Sequence, residues 1–145
     1  RERIKRHSAK YPYLVAEGPE GIIGFAYASV FRPRPAYDED LEVTIYISSD
    51  HRRGGIGRML YEELERRLAA MGIRNMYACI ATIDEEDEHL TKASPAFHEK
   101  MGFKAVGTFS ECGKKFDRYY DMTWYEKRIP RTDSQSDHEQ NGASI

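Results

Sequence analysis

This chain of 145 residues has only two cysteines and one tryptophan, and its positive and negative charges are nearly balanced. Its two cysteines, Cys79 and Cys112, lie too far apart in sequence to form a metal-binding or redox pair. The 24 acidic and 22 basic residues leave a formal net charge of −2, whereas a general nucleic-acid binder needs a basic face. The length predicts one domain that buries a core without disulfides.

Long apolar segments are also missing. No run approaches the roughly 18 residues that span a bilayer, and no signal peptide is visible. With both cysteines reduced, we expect a cytoplasmic protein that binds neither membranes nor nucleic acids. The chain begins with Arg1 rather than Met, so we expect it to be a processed or trimmed product.

What the sequence does contain is a regular segment, residues 41–72, that predicts a strand, a tight loop and a helix. Apolar and polar residues alternate over 41–48, which is typical of a strand with one buried face. The helix has an apolar stripe and should carry the exposed pairs Glu62–Arg66 and Glu63–Arg67. Gly72 should end it in a left-handed conformation. The residues of the stripe are Ile56, Leu60, Leu64 and Leu68.

The loop between strand and helix has the chemistry of an anion site. Gly54, Gly55 and Gly57 let the main chain approach a ligand, and the first amides of the helix have no acceptor within it. Three arginines, Arg52, Arg53 and Arg58, suit phosphate oxygens. The spacing matches neither a P-loop nor a dinucleotide fingerprint. The alternative is that these glycines serve only the turn.

The remaining chain alternates between strands and helices. Residues 1–10 are interpreted as a charged helical fragment, and 94–101 as a helix with Ser94 as N-cap and Pro95 in its first turn. A loop is expected over 110–118, and disorder from Pro130 onward. Strands are predicted over 11–17, 22–31, 73–83, 103–109 and 119–127.

Four segments together resemble a known family. Arg52-x-x-Gly55-x-Gly57 is similar to the acetyl-CoA loop of GNAT-type N-acetyltransferases. The segments 42–48, 94–103 and 113–121 resemble the phosphinothricin acetyltransferase branch, and the resemblance runs from about residue 11 to 129. It implies an α/β (α+β) GNAT fold, with a mixed, mostly antiparallel sheet flanked by helices. The domain would cover 1–129, with the family's N-terminal strand and helices missing, and the tail 130–145.

The resemblance also implies a reaction: direct transfer of acetyl from acetyl-CoA to an amine in a ternary complex. Glu42 takes the position of the general base, with an exposed strand carboxylate as the alternative. His98 takes the position of the proton donor, with a packed helix residue as the alternative. Ser94 would contact the coenzyme or only cap its helix. The coenzyme would otherwise be held by Ile45, Tyr46, Ile47, Arg52, Arg53, Gly54, Gly55, Ile56, Gly57 and Arg58.

Two further segments are candidates for contact with the acceptor amine. One is the proline-containing stretch with Arg32, Arg34 and Tyr37, which is otherwise a stiff surface loop. The other lies near the end of the domain, where Arg118 could bind a carboxylate or pair with Asp121. Its candidates are Lys115, Phe116, Arg118 and Tyr119.

The most direct interpretation is therefore an N-acetyltransferase acting on a small, amino-acid-like amine, and the branch implies a homodimer. No metal is expected, because His98-Glu99 is not followed by the second histidine of a zinc helix. Two alternatives stay open. One is a non-catalytic CoA-binding or regulatory module, and the other is a peptide or protein N-acetyltransferase that receives its substrate in the proline loop.

Overall fold

The computed structural model describes residues 3–6, 10–51, 54–82 and 93–130. They form two compact units, of which the second is Tyr77–Lys127 and the first holds the described residues up to Met76 and from Arg128 onward. No helix in these ranges is long and apolar enough to cross a membrane. The strands are β1 (Arg3–Arg6), β2 (Tyr13–Gly18), β3 (Gly21–Val30), β4 (Asp40–Ile47), β5 (Asn75–Thr82), β6 (Lys104–Lys115) and β7 (Arg118–Arg128), and the helices are α1 (Ile56–Ala70) and α2 (Ala93–Lys100).

The first unit is built on four antiparallel strands in the order β1-β2-β3-β4. The predicted strands of the first hairpin are confirmed, with the turn at Gly18–Gly21. The prediction of a helical fragment over residues 1–10 is wrong for Arg3–Arg6, which pairs with β2 through the register Arg3↔Glu17. A charged segment this short has too few residues to hold a helix alone, and a strand edge offers it a ladder of hydrogen bonds.

Helix α1 packs against β2, β3 and β4. The predicted stripe is confirmed, since Leu60, Leu64 and Leu68 are fully buried and Ile56 is nearly so. Tyr61 joins them, a core residue that the four-residue spacing did not predict. On the sheet side the stripe meets small and branched side chains of one face. They are Leu14, Ala16, Ala26, Ala28, Leu41 and Val43.

The exposed side of α1 differs from the prediction in one pair. Glu63 accepts from Arg67 at 2.7 Å, as expected, but also from Arg66 at 2.6 Å. Glu62 pairs instead with Arg58, at 3.3 Å. The two spacings of three and four residues are equally reachable on a helix surface, so a carboxylate between two arginines can take both. Gly72 ends the helix with φ 87°, as predicted.

The end of β4 lies unusually close to β3. Gly24 is in register with Ile47, and a Cβ placed on Gly24 would lie 2.8 Å from Ile47 Cδ1 and 2.9 Å from the Tyr46 carbonyl oxygen. The second contact is with main chain, which cannot move aside without shifting the strand. Glycine at this position therefore allows the close contact between β3 and the end of β4, from which the chain enters the next loop.

The second unit contains most of β5, helix α2 and the β6–β7 hairpin, with β7 between β5 and β6. Thr123 of β7 is 6% exposed, and its hydroxyl bonds Thr82 at 3.0 Å and Thr108 at 2.9 Å, which ties the three strands together. The expected loop over 110–118 is wrong. Strand β6 continues to Lys115, and only Phe116 and Asp117 form the turn.

The close approach at Gly24 generates a stability prediction. Gly24→Ala should lower the free energy of unfolding by about 1–3 kcal/mol, the usual cost of overpacking. The matched control is Gly18→Ala in the neighbouring strand, where a Cβ would lie 3.5 Å from Ile23 Cγ2 in ordinary contact. Urea unfolding followed by circular dichroism measures both. Equal stability of the two variants would contradict a tight β3–β4 contact.

Candidate functional site

Strand β4 has one buried face and one face that is more exposed to solvent. Leu41 and Val43 are each 2% exposed and lie under α1, whereas Glu42 and Thr44 are half-buried on the opposite face and Tyr46 is exposed. Across the sheet, Glu42 is in register with Ser29 of β3. The predicted alternation is confirmed, and it places the candidate base on the face that α1 leaves uncovered.

Glu42 shares this face with a row of aromatic rings. Residues on neighbouring strands stack, with ring centroids 5.1 Å apart for Tyr13 and Tyr27, and 5.5 Å for Phe25 and Tyr46. Burial raises the pKa of the Glu42 carboxyl above its usual value. Within the described part of the chain, its carboxylate has neither an ion pair nor a hydrogen bond. A carboxylate in this state is a stronger base than an exposed one.

The loop after β4 turns sharply into α1. The Ser48 amide donates to the Ile23 carbonyl at 2.9 Å, which ends β4, and Ser49–His51 makes a 3₁₀ turn. Gly55 is the N-cap of α1 with φ 81° and ψ 5°, a left-handed conformation that favours glycine. A Cβ at Gly55 would meet nothing within 4 Å, so the approach to its main chain is open.

The first turn of α1 leaves amides free for a ligand. Its first main-chain bond runs from the Met59 amide to the Gly55 carbonyl, at 3.1 Å. Gly55 supplies no side-chain cap, and the first turn holds no acidic residue. The amides of Ile56, Gly57 and Arg58 therefore have no acceptor in the helix, and the helix dipole adds partial positive charge there. This start of α1 is suited to an anion.

Some of the loop residues that were predicted to bind the coenzyme already use their polar groups within the chain. The Gly54 amide donates to the His51 carbonyl at 3.3 Å and is used by the turn itself. The Arg58 guanidinium is exposed and paired with Glu62. Arg52 and Arg53 lie outside the described residues. On the strand side, Ile45, Tyr46 and Ile47 are in register with Ala26, Phe25 and Gly24.

His51 is a candidate that sequence reasoning missed. Its Nδ1 is buried and has no hydrogen-bond partner among the described residues, which omit the two that follow it. The residue lies three positions before Gly54, the first glycine of the loop. Nothing in its sequence neighbourhood indicates burial of this nitrogen, because burial of a single atom depends on side-chain geometry.

The candidate acceptor residues of the first unit lie on the surface. Arg32 and Arg34 are exposed and Tyr37 is half-buried in the 3₁₀ turn Pro35–Tyr37. The Arg32 guanidinium lies 5.0 Å from the Phe31 ring centroid. The prolines exclude a strand here, as predicted, and both guanidinium groups face solvent.

In the second unit, His98 is a packed residue of α2. It is 1% exposed, and its Nδ1 lies 2.8 Å from the Ser94 carbonyl oxygen. The Phe103 ring lies 5.1 Å away and the Tyr125 ring 6.2 Å away, centroid to centroid. Burial lowers the pKa of the imidazole more than the bond to Ser94 raises it. The predicted alternative, a packed helix residue, describes these contacts, and a proton-donor role stays a prediction.

Ser94 does not occupy the predicted N-cap position. Helix α2 begins at Ala93, so Ser94 lies inside the first turn, with an exposed side chain, and Pro95 follows it there. Its carbonyl is used by His98. The helix ends before Gly102, which has φ 98°, as predicted.

The other acceptor candidates lie at the tip of the β6–β7 hairpin. Lys115, Phe116, Arg118 and Tyr119 are all exposed there. The Asp121 carboxylate accepts from the Glu111 amide at 2.9 Å and so supports a bulge in β6. Arg118 lies 5.9 Å from the Tyr120 ring.

Comparison with known proteins decides the family. The family model for the acetyltransferase (GNAT) domain matches residues 1–124. The chain belongs to the GNAT acetyltransferases. The predicted fold class is therefore confirmed, and the uncapped start of α1 is the place where the family resemblance put the coenzyme loop.

Three individual proteins of known name are similar to the chain. The chain is 41% identical over 114 residues to the phosphinothricin N-acetyltransferase of Streptomyces coelicolor, covering 79% of the chain and 62% of the relative. The phosphinothricin acetyltransferase of Sinorhizobium meliloti, solved with AcCoA, has a TM-score of 0.73 and 35% identity, covering 89% and 66%. A ribosomal-protein-alanine N-acetyltransferase from Brucella melitensis has a TM-score of 0.71 and 32% identity, covering 82% and 69%.

The chain is shorter than these GNAT proteins. It spans 62%, 54% and 64% of the length of three curated relatives, all named as N-acetyltransferases. Family and fold are shared over this span.

The burial of His98 generates a pH prediction. Because its folded pKa is depressed, the unfolded chain binds the proton more readily, and stability is lost as pH falls below the ordinary histidine pKa of about 6.5. The slope contributed approaches about 1.36 kcal/mol per pH unit. His98→Gln does not titrate and can still donate to the Ser94 carbonyl. Its unfolding free energy, measured from pH 7.5 to about 5.5, should therefore fall less steeply than that of the wild type. Parallel slopes would show that His98 is not protonated on unfolding.

Proposed function

We propose that the chain is the catalytic part of an N-acetyltransferase that moves the acetyl group of acetyl-CoA to the primary amine of a small, amino-acid-like molecule. The observation that supports this proposal is the start of α1. This helix start has no side-chain cap, its N-cap is Gly55, and the loop before it follows the strand that carries Glu42. A diphosphate needs such a set of amides, and an amine acceptor needs such a carboxylate.

The coenzyme diphosphate would be held by the amides of Ile56, Gly57 and Arg58. Hydrogen bonds from main-chain amides to a charged oxygen are stronger than neutral ones, and the helix dipole has the right sign. The exposed Arg58 side chain can add charge, because its surface pair with Glu62 contributes little and exchanges easily. Arg52 and Arg53 are proposed to do the same.

Glu42 would act as general base, directly or through water. A lysine-like amine has a pKa of about 10.4, so holding it neutral at pH 7.4 costs about 4 kcal/mol. The Glu42 carboxylate takes the amine proton, the amine nitrogen bonds the acetyl carbon, and the carbon–sulfur bond breaks to release CoA as thiolate. Burial of Glu42 and its lack of an ion pair among the described residues both favour proton uptake.

The acceptor class is argued from the relatives' names and from exposed cations. Phosphinothricin names recur among the relatives, and guanidinium groups bind carboxylate and phosphinate oxygens in pairs. Arg32 and Arg34 are proposed for this contact in the first unit, with Tyr37 beside them. A peptide acceptor is the second candidate, because the ribosomal-protein relative has a similar fold and identity. His98 and Ser94 are proposed to stabilise helix α2 through the contact between His98 Nδ1 and the Ser94 carbonyl oxygen.

We also propose that the protein works as a homodimer in the cytoplasm, where its two cysteines, Cys79 and Cys112, would stay reduced. A CoA-binding module without catalysis remains the opposing hypothesis. An assay of free thiol release from acetyl-CoA, with a panel of amino acids, phosphinothricin-like analogues and peptides, separates the three. Thermal stabilisation by CoA with no thiol release from any amine would favour the module.

Glu42→Gln should lower kcat by about 100- to 10,000-fold, the usual contribution of a general base. The KM for acetyl-CoA should stay within a factor of about three, since the carboxylate does not hold the diphosphate. In the wild type, activity is lost as pH falls through the pKa of Glu42, which burial places above its usual value. The variant should lack this acid limb.

The control for this experiment is Glu20→Gln, which removes an exposed carboxylate from the β2–β3 turn of the same unit. It should leave both kcat and the pH profile unchanged. If Glu42→Gln retained the wild-type acid limb, another group would be the base.

Gly55→Ala tests the coenzyme contact separately. The substitution places a side chain at φ 81° and on the open approach to the amides, so affinity for CoA should fall at least about tenfold. Affinity for pantetheine, which lacks the diphosphate, should change much less. Gly18→Ala is the control for a strand glycine in ordinary space. Equal losses for CoA and pantetheine in isothermal titration would place the diphosphate elsewhere.

A further inference from the structure

Strand β4 carries a second carboxylate on the same face as Glu42. The strand begins at Asp40, and residues two positions apart on a strand point to one face, about 7 Å apart along it. Both carboxylate side chains are half-buried, whereas Leu41 between them is buried under α1. Asp40 and Glu42 are therefore neighbours on the face that α1 leaves uncovered.

A polar network fixes the Asp40 carboxylate. Asn75 Nδ2 donates to Asp40 Oδ1 at 2.8 Å, and Asn75 Oδ1 accepts from Arg128 Nε at 3.4 Å. Because a guanidinium only donates and a carboxylate only accepts, the side-chain amide of Asn75 can serve both in one orientation alone. The main-chain amide of Asn75 also donates to the Glu39 carbonyl, at 3.2 Å. Asp40 is thus held in place by an uncharged partner, which does not neutralise it.

The strands around these two carboxylates supply no positive charge. Strands β2, β3 and β4 contain no lysine or arginine, and the face of Glu42 also carries the row of stacked aromatic rings. Aromatic ring faces attract ammonium groups, and a surface with charge of one sign concentrates the opposite charge. This face is therefore suited to a cation, and an amine acceptor arrives as one.

The two carboxylates differ in the hydrogen bonds that they accept. Asp40 accepts one from Asn75 through Oδ1, whereas Glu42 accepts none from the part of the chain that the structure describes. Glu42 is therefore open to a proton. The second oxygen of Asp40, Oδ2, accepts no bond from a described residue and can take one from a further charged donor.

We propose that Asp40 is a specificity-determining residue of the acceptor site, and that it selects acceptors with a second positive charge, such as the side-chain ammonium of a basic amino acid. Asp40 binds the ammonium that does not react, and Glu42 takes the proton of the amine that does. The spacing of about 7 Å along the strand suits a chain about as long as the lysine side chain. This inference rests on the proposed function, because it takes Glu42 as the base, and it narrows the acceptor to basic members of the amino-acid class.

Matched pairs of acceptors test the proposal in the wild type. Norleucine has the carbon chain of lysine without its terminal ammonium, and norvaline is related to ornithine in the same way. The kcat/KM for each basic amino acid should exceed that for its apolar analogue by about 10- to 100-fold, the effect expected of one hydrogen bond to a charged group. Release of free thiol from acetyl-CoA measures the rates. Added salt should reduce the ratio, because it screens the attraction.

Asp40→Asn removes the charge and can keep the internal bond, since its amide oxygen still accepts from Asn75. The variant should lose at least about tenfold more kcat/KM on lysine than on norleucine. Asp40→Glu restores the charge and should restore part of the preference. The matched control is Asp38→Asn, which removes an exposed carboxylate just before the strand and should leave the ratio unchanged. Thermal unfolding followed by circular dichroism shows whether each variant is folded.

Asn75→Ala tests the positioning of Asp40 separately. The variant keeps the charge of Asp40 but removes the bond that fixes it, so the KM for lysine should rise about three- to tenfold more than the KM for norleucine. A purely structural role of Asn75 would change the two acceptors equally.

Three results would overturn the inference about Asp40. They are equal kcat/KM for lysine and norleucine in the wild type, a preference for lysine that survives in Asp40→Asn, and glutamate as a better acceptor than lysine. In each of these cases turnover of some acceptor shows that the proposed acetyl transfer itself holds. Absence of thiol release with every acceptor would instead overturn the proposed function, and this inference with it.

Discussion

The constraint on which the site depends is the left-handed main chain at Gly55, which begins α1 without a side-chain cap. Helix starts are usually closed by a serine, threonine or aspartate that takes up one free amide. Here the amides of Ile56, Gly57 and Arg58 have no acceptor in the helix and no side-chain cap, which suits them to an anion. Helix α1 is at the same time the main packing element of the first unit, through Leu60, Leu64 and Leu68. The amides are therefore held in place by the core, and little ordering is required when an anion binds.

The same packing explains why Glu42, the proposed base, lies on the uncovered face of β4. Since α1 covers the face with Leu41 and Val43, the alternation of the strand leaves Glu42 on the other face, which carries the row of aromatic rings. The carboxyl is half-buried on this face, and burial raises its pKa. In the second unit, burial lowers the pKa of His98 by the same physical effect. In both groups the charged form is disfavoured. That makes Glu42 a better proton acceptor and makes His98 a neutral packing residue at physiological pH.

Sequence reasoning succeeded where a period or a glycine decides the structure. The two-residue alternation in β4, the four-residue stripe of α1 and the glycine ends at Gly72 and Gly102 are local signals, and the structure has each of them. Sequence reasoning failed where pairing between separate segments determines the structure. Arg3–Arg6 is a strand because β2 offers it an edge. The expected loop over 110–118 is instead strand up to Lys115, with a turn of only two residues, and Phe116 at the first of them has a side chain that is unusual in such a turn. The buried Nδ1 of His51 and the two partners of Glu63 depend on side-chain geometry, which no sequence pattern contains.

In the proposed function, donor and acceptor recognition rest on different parts of the chain, and this limits what a sequence can predict about each. The proposed coenzyme contact uses main-chain amides, so it requires only glycines at fixed positions and a helix that begins there. These can be found in a sequence without knowing the fold in detail. The proposed acceptor contact uses side chains on exposed segments, such as Arg32 and Arg34, whose placement depends on a proline turn. Relatives with similar folds are accordingly named for phosphinothricin in one case and for a ribosomal protein in another. The glycine loop therefore supports the donor, whereas the acceptor has to be decided by the amine panel.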